Sequence, residues 1–202
     1  MTGLGHNKGP SLEAGAGFRK VAWTKARAAL LPTLPLEVVR LRVKRAQRLG
    51  LPYKTYATVR AVTGRDIVGF LFSSNALDMR RGHDVPAVER ARLIALDGLA
   101  TRWAAVHAPI DPGAVPEAGV IDGAGRAPGL ATPWRATRDT LRAMAQEAQV
   151  PFDGLVVVSA TALEAEWSGT AGLGGTIHRD VMFSGRGTTL PFQCPRVGLS
   201  AR

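Results

Sequence analysis

Arg40, Lys44 and Arg48 recur every fourth residue, with Arg42 and Arg45 between them. On a helix that spacing lines three cations along one face and sets two more beside it. The chemistry open to guanidinium and ammonium groups arrayed in this way is capture of phosphate oxygens. The stripe is the densest part of a wider asymmetry. Residues 18–65 hold twelve Lys and Arg against one acid, Glu37, in a chain of 202 residues whose formal net charge is +10. The remainder is therefore close to neutral, and the excess charge belongs to one segment. The preference for Arg over Lys is what GC-rich coding produces by itself, but that bias does not remove acids from one third of a chain. A cationic surface of this kind expects a polyphosphate partner.

A second chemistry is conceivable at Leu155-Val156-Val157-Val158-Ser159, the one clear strand signal. Reactive groups in α/β proteins gather beyond the carboxyl ends of strands, where Ser159, Thr161, Glu164 and His178 would meet. Helix capping by Ser159 or Thr161 is the simpler expectation. Ser73-Ser74-Asn75 has catalytic potential only if a strand precedes it; a polar helix end is expected instead. His6, His83, His107 and His178 are scattered without ligand spacing, and the single cysteine, Cys194, excludes an internal disulfide or a thiolate zinc cage. The chain has no phosphate-binding G-x-x-x-x-G-K-[ST] loop, G-x-S-x-G elbow or H-E-x-x-H pair. No catalytic residue, metal or cofactor is expected. Without an apolar run of roughly 18–20 residues or a secretory leader, a cytoplasmic protein that does not enter membranes is expected.

The elements that must position the cations follow from periodicity and punctuation. Residues 1–10 read as a disordered arm, and Ser11 caps a helix to about Leu31. Pro35 opens a helix to Leu49 with Leu36, Val39, Val43, Ala46 and Leu49 on its inward face, ended by Gly50. Pro52 to Thr63 forms the next helix, closed by Gly64. Asp66 to Leu77 fits either a buried strand or a buried helix capped by Asp66; continuation through Asn75, Ala76 and Leu77 favours the helix. A further helix is expected from Asp84-Val85-Pro86 to Val106, with Leu96, Leu99, Trp103 and Val106 buried. Residues 108–133, with five prolines and five glycines, read as a linker. Helix resumes at Thr132-Pro133 and runs to Gln149. The strand at 155–159 leads into a short helix from Thr161 to Trp167, Thr176 to Phe183 forms a second strand, and 191–202 is a basic tail.

Within this frame, Arg42 to Ala61 (RVKRAQRLGLPYKTYATVRA) has a small residue, Ala46, followed four positions later by Gly50. Leu49 and Leu51 flank that turn and Val59 faces inward. The stretch resembles the helix-turn-helix motif class of DNA-binding proteins over about twenty residues, with Tyr56 where a compact aliphatic side chain is usual. The resemblance implies that Pro52, Tyr53, Lys54, Ala57, Thr58 and Ala61 line the groove-facing side of a recognition helix. Lys54 and Thr58 then reach base edges or phosphates, Tyr53 a phosphate, and Arg42, Arg45 and Arg48 run along the backbone.

These readings combine into a mainly α protein with a small α+β C-terminal part. Its domains are a helical nucleic-acid-binding unit at 11–107, the linker at 108–133 and an α+β module at 132–190 for effector binding or dimerisation. The expected function is non-enzymatic binding of duplex DNA, as in transcription regulation, through Arg40, Arg42, Lys44, Arg45, Arg48, Tyr53, Lys54, Thr58 and Arg60. A homodimer is compatible with it. Two alternatives stay open: an RNA- or ribosome-associated basic protein, in which Tyr53 and Tyr56 stack on unpaired bases, and a small α/β enzyme or ligand-binding domain with its site near Ser159.

Overall fold

The computed structural model describes residues 34–79, 84–115 and 119–183. The expected arm at 1–10, the helix at 11–31 and the tail at 191–202 lie outside them. The chain groups into two compact units, residues 1–39 and 40–202; the sheet and the layers that cover it belong to the second.

Helix α1 spans Leu36–Arg48 and α2 spans Tyr53–Thr63. Between them Gly50 takes φ +57°, the left-handed conformation that a tight turn demands and a side chain resists. Leu51 N donates to Ala46 O at 2.9 Å across the turn. Ala46, Leu49, Leu51, Tyr56 and Val59 are all buried. Tyr56 fits its inward position because its hydroxyl donates to Asp66 Oδ1 at 2.8 Å, so the ring packs while its polar end is satisfied.

The expectation of a mainly α chain with a small α+β C-terminal part is corrected by the sheet. Five strands, all parallel, make an α/β fold: β1 (Gly69–Ser73), β2 (Thr101–Val106), β3 (Gly123–Arg126), β4 (Leu155–Ser159) and β5 (Gly175–His178), in the spatial order β3-β2-β1-β4-β5. The segment 66–77, for which helix was favoured, contains β1. Every residue of β1 is buried, and a parallel strand covered on both faces loses the two-residue alternation that identifies a strand in sequence. The helix expected to run to Val106 ends early: α3 covers Ala87–Ala95, Gly98 turns the chain at φ +62°, and β2 begins at Thr101. The Pro/Gly-rich stretch read as a linker contributes β3, so strands from both sides of it share one sheet. The strand expected at 176–183 is divided into β5 and helix α7 (Arg179–Phe183). Helix α4 (Trp134–Glu147) matches its expected position, and α5 (Ala162–Ala165) and α6 (Trp167–Ala171) follow β4.

Side chains alternate between the two faces of the sheet. Phe70, Phe72, Ala104, Val106, Val156, Val158 and Ile177 pack in one core with Leu49, Tyr56, Val59, Leu93 and Met182. Leu71, Ala105, Leu155 and Val157 pack in the other with Leu141, Met144, Ala145, Trp167 and Ala171. The β1–α3–β2 crossover thus covers one face and β4–α5–α6–β5 the opposite one. With right-handed crossovers, strands added on opposite faces grow outward in opposite directions. The order reverses between β1 and β4, a switch point at which loops diverge and leave a crevice beyond the carboxyl ends of the strands.

Candidate active site at the carboxyl edge of the sheet

Parallel strands deliver the residues that follow them to a single edge. Ser74 and Asn75 leave β1, His107 leaves β2, Arg126 ends β3, Ser159 ends β4 and His178 ends β5. The register fixes the first pair: Ser73 is opposite Ala105, and Ser74 N donates to Ala105 O at 2.9 Å. His107 N then donates to Ser74 Oγ at 3.1 Å, and the same Oγ lies 3.0 Å from His107 Nδ1. Because Nε2 faces the Glu164 carboxylate, electrostatics favours the tautomer in which the Ser74 hydroxyl donates to Nδ1. That assignment leaves the proton of a neutral imidazole on Nε2.

Nε2 faces Glu164 Oε1 at 3.9 Å. Glu164 is 1% exposed, and three donors converge on it. Asn75 Nδ2 donates to Oε1 at 2.8 Å, and Ala160 N and Thr161 N donate to Oε2 at 2.8 and 3.1 Å. Thr161 Oγ1 accepts from Glu164 N at 3.3 Å, completing a capping box at the start of α5. Helix capping was the simpler expectation for Thr161, and it is the arrangement found. The expected neighbour of Glu164 was Ser159, but the imidazole facing it is that of His107, stacked on Trp167 with ring centroids 5.7 Å apart.

Burial pushes the His107 pKa down from its usual value. Glu164 opposes that shift, and the positive charge of Arg126 adds to it. The ring is therefore neutral at pH 7 and presents Nε2–H as a hydrogen-bond donor, the state in which an imidazole polarises a carbonyl or phosphoryl oxygen. Arg126 is exposed, with Nη1 anchored on Ile110 O at 2.7 Å. Ser74 is 1% exposed and its oxygen is pinned to the His107 backbone. That geometry suits orienting the ring rather than attacking a substrate. On β5, His178 lies opposite Ser159, but its Nδ1 is engaged by Asp180, 3.2 Å from Oδ2.

A groove of about 190 Å³ adjoins this edge, lined among others by Leu130, Trp134, Leu163, Glu166 and Trp167. Trp167 belongs both to the groove and to the stack on His107. Another cavity, about 300 Å³, opens at the opposite, amino edge beside Asp97 and Asp122. Its acids serve Arg102, whose Nη2 lies 2.8 Å from Asp97 and 2.6 Å from Asp122. That cavity is a buttressed corner away from the reactive edge.

The expected nucleic-acid residues occupy a different face and divide into two sets. Arg45 is committed internally: Nε donates to Asp66 Oδ2 at 3.1 Å and Nη2 to Ile67 O and Leu99 O at 2.9 and 3.1 Å. Arg60 Nη1 lies 3.9 Å from Asp66 Oδ1. Tyr53 packs against the core, Thr58 Oγ1 donates to Lys54 O at 2.8 Å, and Arg42 is half-buried. Arg40, Lys44, Arg48 and Lys54 are exposed. Among the described residues no helix is long and apolar enough to cross a membrane. The chain matches no protein-family model, no curated protein and no solved structure.

Ser74 and Asn75 were candidates in the sequence only on the condition of a preceding strand, and His107 was not one. Ser74 and His107 stand 33 positions apart, and only the β1–β2 register unites them. The available signal was conditional: Ser73-Ser74-Asn75 gains chemical interest when a strand precedes it, and β1 does.

Proposed function

We propose that the protein is a doubly wound α/β enzyme that binds a small oxyanion-bearing ligand at the carboxyl edge of its sheet. His107 Nε2–H polarises the reacting oxygen. Ser74 holds the ring through Nδ1, Glu164 faces the proton-bearing nitrogen, and Arg126 supplies positive charge. The observation that carries this reading is the neutral, partly exposed His107 held between Ser74 and Glu164 beside the switch point. In titrations with inorganic phosphate and with acetate, followed by imidazole NMR, anion binding should shift the His107 resonance and raise its pKa. Arg126→Gln should abolish both effects. If neither anion moves His107, or Arg126→Gln leaves the response intact, the reading fails.

A second reading retains duplex DNA as partner, a role in transcription regulation and a cytoplasmic setting, with homodimerisation compatible. It is favoured by the exposed cations Lys44, Arg48 and Lys54 on α1 and α2. Docking through these side chains makes affinity fall with salt. Each cation removed should flatten the log–log slope by about 1. A Lys44→Ala, Arg48→Ala, Lys54→Ala triple variant that binds duplex with an unchanged slope would refute it. Preference for single-stranded RNA in competition would favour the RNA alternative.

A further inference from the structure

The groove beside Trp167 carries a charge opposite to that of the chain. With 26 Lys and Arg against 16 Asp and Glu in the sequence, its lining contains one acid, Glu166, and no base. Glu166 is exposed and its carboxylate enters no hydrogen bond or ion pair with the described residues. Trp134, 61% exposed, shares that lining with the largely buried Trp167. Indole faces attract cations through their quadrupole. Trp134 already does so: the Arg138 guanidinium carbon lies 5.3 Å from its ring centroid, with the charge of Arg138 held by Asp139 at 2.9 Å.

We propose that this groove binds a small organic ammonium ion between the Glu166 carboxylate and the exposed Trp134 indole. The volume sets the size class. About 190 Å³ is smaller than the roughly 300–1,000 Å³ of drug-sized sites. That smaller volume suits a head group of a few heavy atoms. The apolar walls of Leu130 and Leu163 suit N-methyl groups better than a bare, strongly hydrated ammonium. This inference goes beyond the oxyanion reading and does not depend on it, because its charge argument involves neither His107 nor Arg126.

The test compares choline with its neutral isostere, 3,3-dimethylbutanol, at matched ionic strength, following the Trp134 indole NMR signal assigned with Trp134→Phe. Choline should shift that signal saturably and bind at least about tenfold more tightly than the alcohol. Glu166→Gln should lose about the same factor, while Glu147→Gln, a neutralised acid elsewhere on the surface, should bind choline as the parent does. Circular dichroism of both variants confirms that each is folded. The proposal is overturned if choline leaves the signal unmoved, if the alcohol binds equally well, or if Glu147→Gln weakens binding as much as Glu166→Gln.

Discussion

Asn75 Nδ2 donates to Glu164 Oε1 at 2.8 Å, joining the loop after β1 to the first turn of α5 across the reversal in strand order. Both partners are anchored near their strands, Glu164 by two backbone N–H groups, so the bond closes the crevice floor from both sides.

Replacing Glu164 with Gln turns an amide N–H₂ toward groups that are themselves donors. A buried polar mismatch of this kind costs about 1–3 kcal/mol, measurable by urea denaturation. Glu164 also raises the His107 pKa, so an NMR titration of the variant should find His107 depressed further than in the parent. A His107 pKa unchanged or raised in Glu164→Gln would contradict the arrangement.

The depressed His107 pKa links stability to pH. The unfolded chain takes up this proton near the ordinary histidine value of about 6.5, whereas the folded state takes it up only at lower pH. Between those points the unfolded state binds more protons, so stability is full above about 6.5 and declines as pH falls through the folded-state pKa. Urea midpoints measured from pH 7.5 down to 5 should drop for the parent and drop less for His107→Gln.

Gly50 meets two constraints together. Its φ is +57°, and an added Cβ would stand within 2.3 Å of the Arg92 guanidinium. Arg92 donates to Leu49 O and, through Nε, to Met182 O at 3.2 Å. Gly50→Ala should therefore cost about 2–4 kcal/mol, combining a left-handed penalty with displacement of the guanidinium. Arg92→Ala removes the obstacle, so the double variant should be less destabilised than the sum of the singles. Strict additivity in denaturation curves would contradict this account.

Arg45 and Arg48 should differ although both occupy the basic stripe. Arg45 is 23% exposed and bound to Asp66 and two carbonyls, so Arg45→Ala should cost about 2 kcal/mol. Arg48 is exposed, and Arg48→Ala should stay within about 0.5 kcal/mol. Thermal or urea unfolding distinguishes them; equal effects would mean that the Arg45 contacts contribute little.

Local signals in the sequence were readable where the chain meets solvent on one side. The inward faces of α1 and α2, the left-handed Gly50 and the span of α4 follow from periodicity and turn chemistry. β1 was hidden because a strand buried on both faces shows only an apolar run, and β2 because Trp103 and Val106 also continue the helical spacing of Leu96 and Leu99. β3 was hidden because Gly123-Ala124-Gly125-Arg126 has no strand-favouring side chain. Its glycine is instead required by a neighbour: a Cβ on Gly123 would meet the Trp103 ring at 2.1 Å, a contact no local pattern announces. The candidate site depends on those three strands. Thr161 was identifiable as a cap residue and Glu164 as a group beyond the strand end, but their relation to His107 arises only when β1 lies between β2 and β4.

That placement of β1 also bears on how the chain reaches its native state. Gly69 pairs with Thr101 on one side and with Leu155 on the other, so the central strand is synthesised first and completed last. Contacts this distant along the chain delay folding because loop entropy is lost before any pairing compensates it. During translation the Phe70-Leu71-Phe72 segment waits without its later neighbour until β4 has emerged.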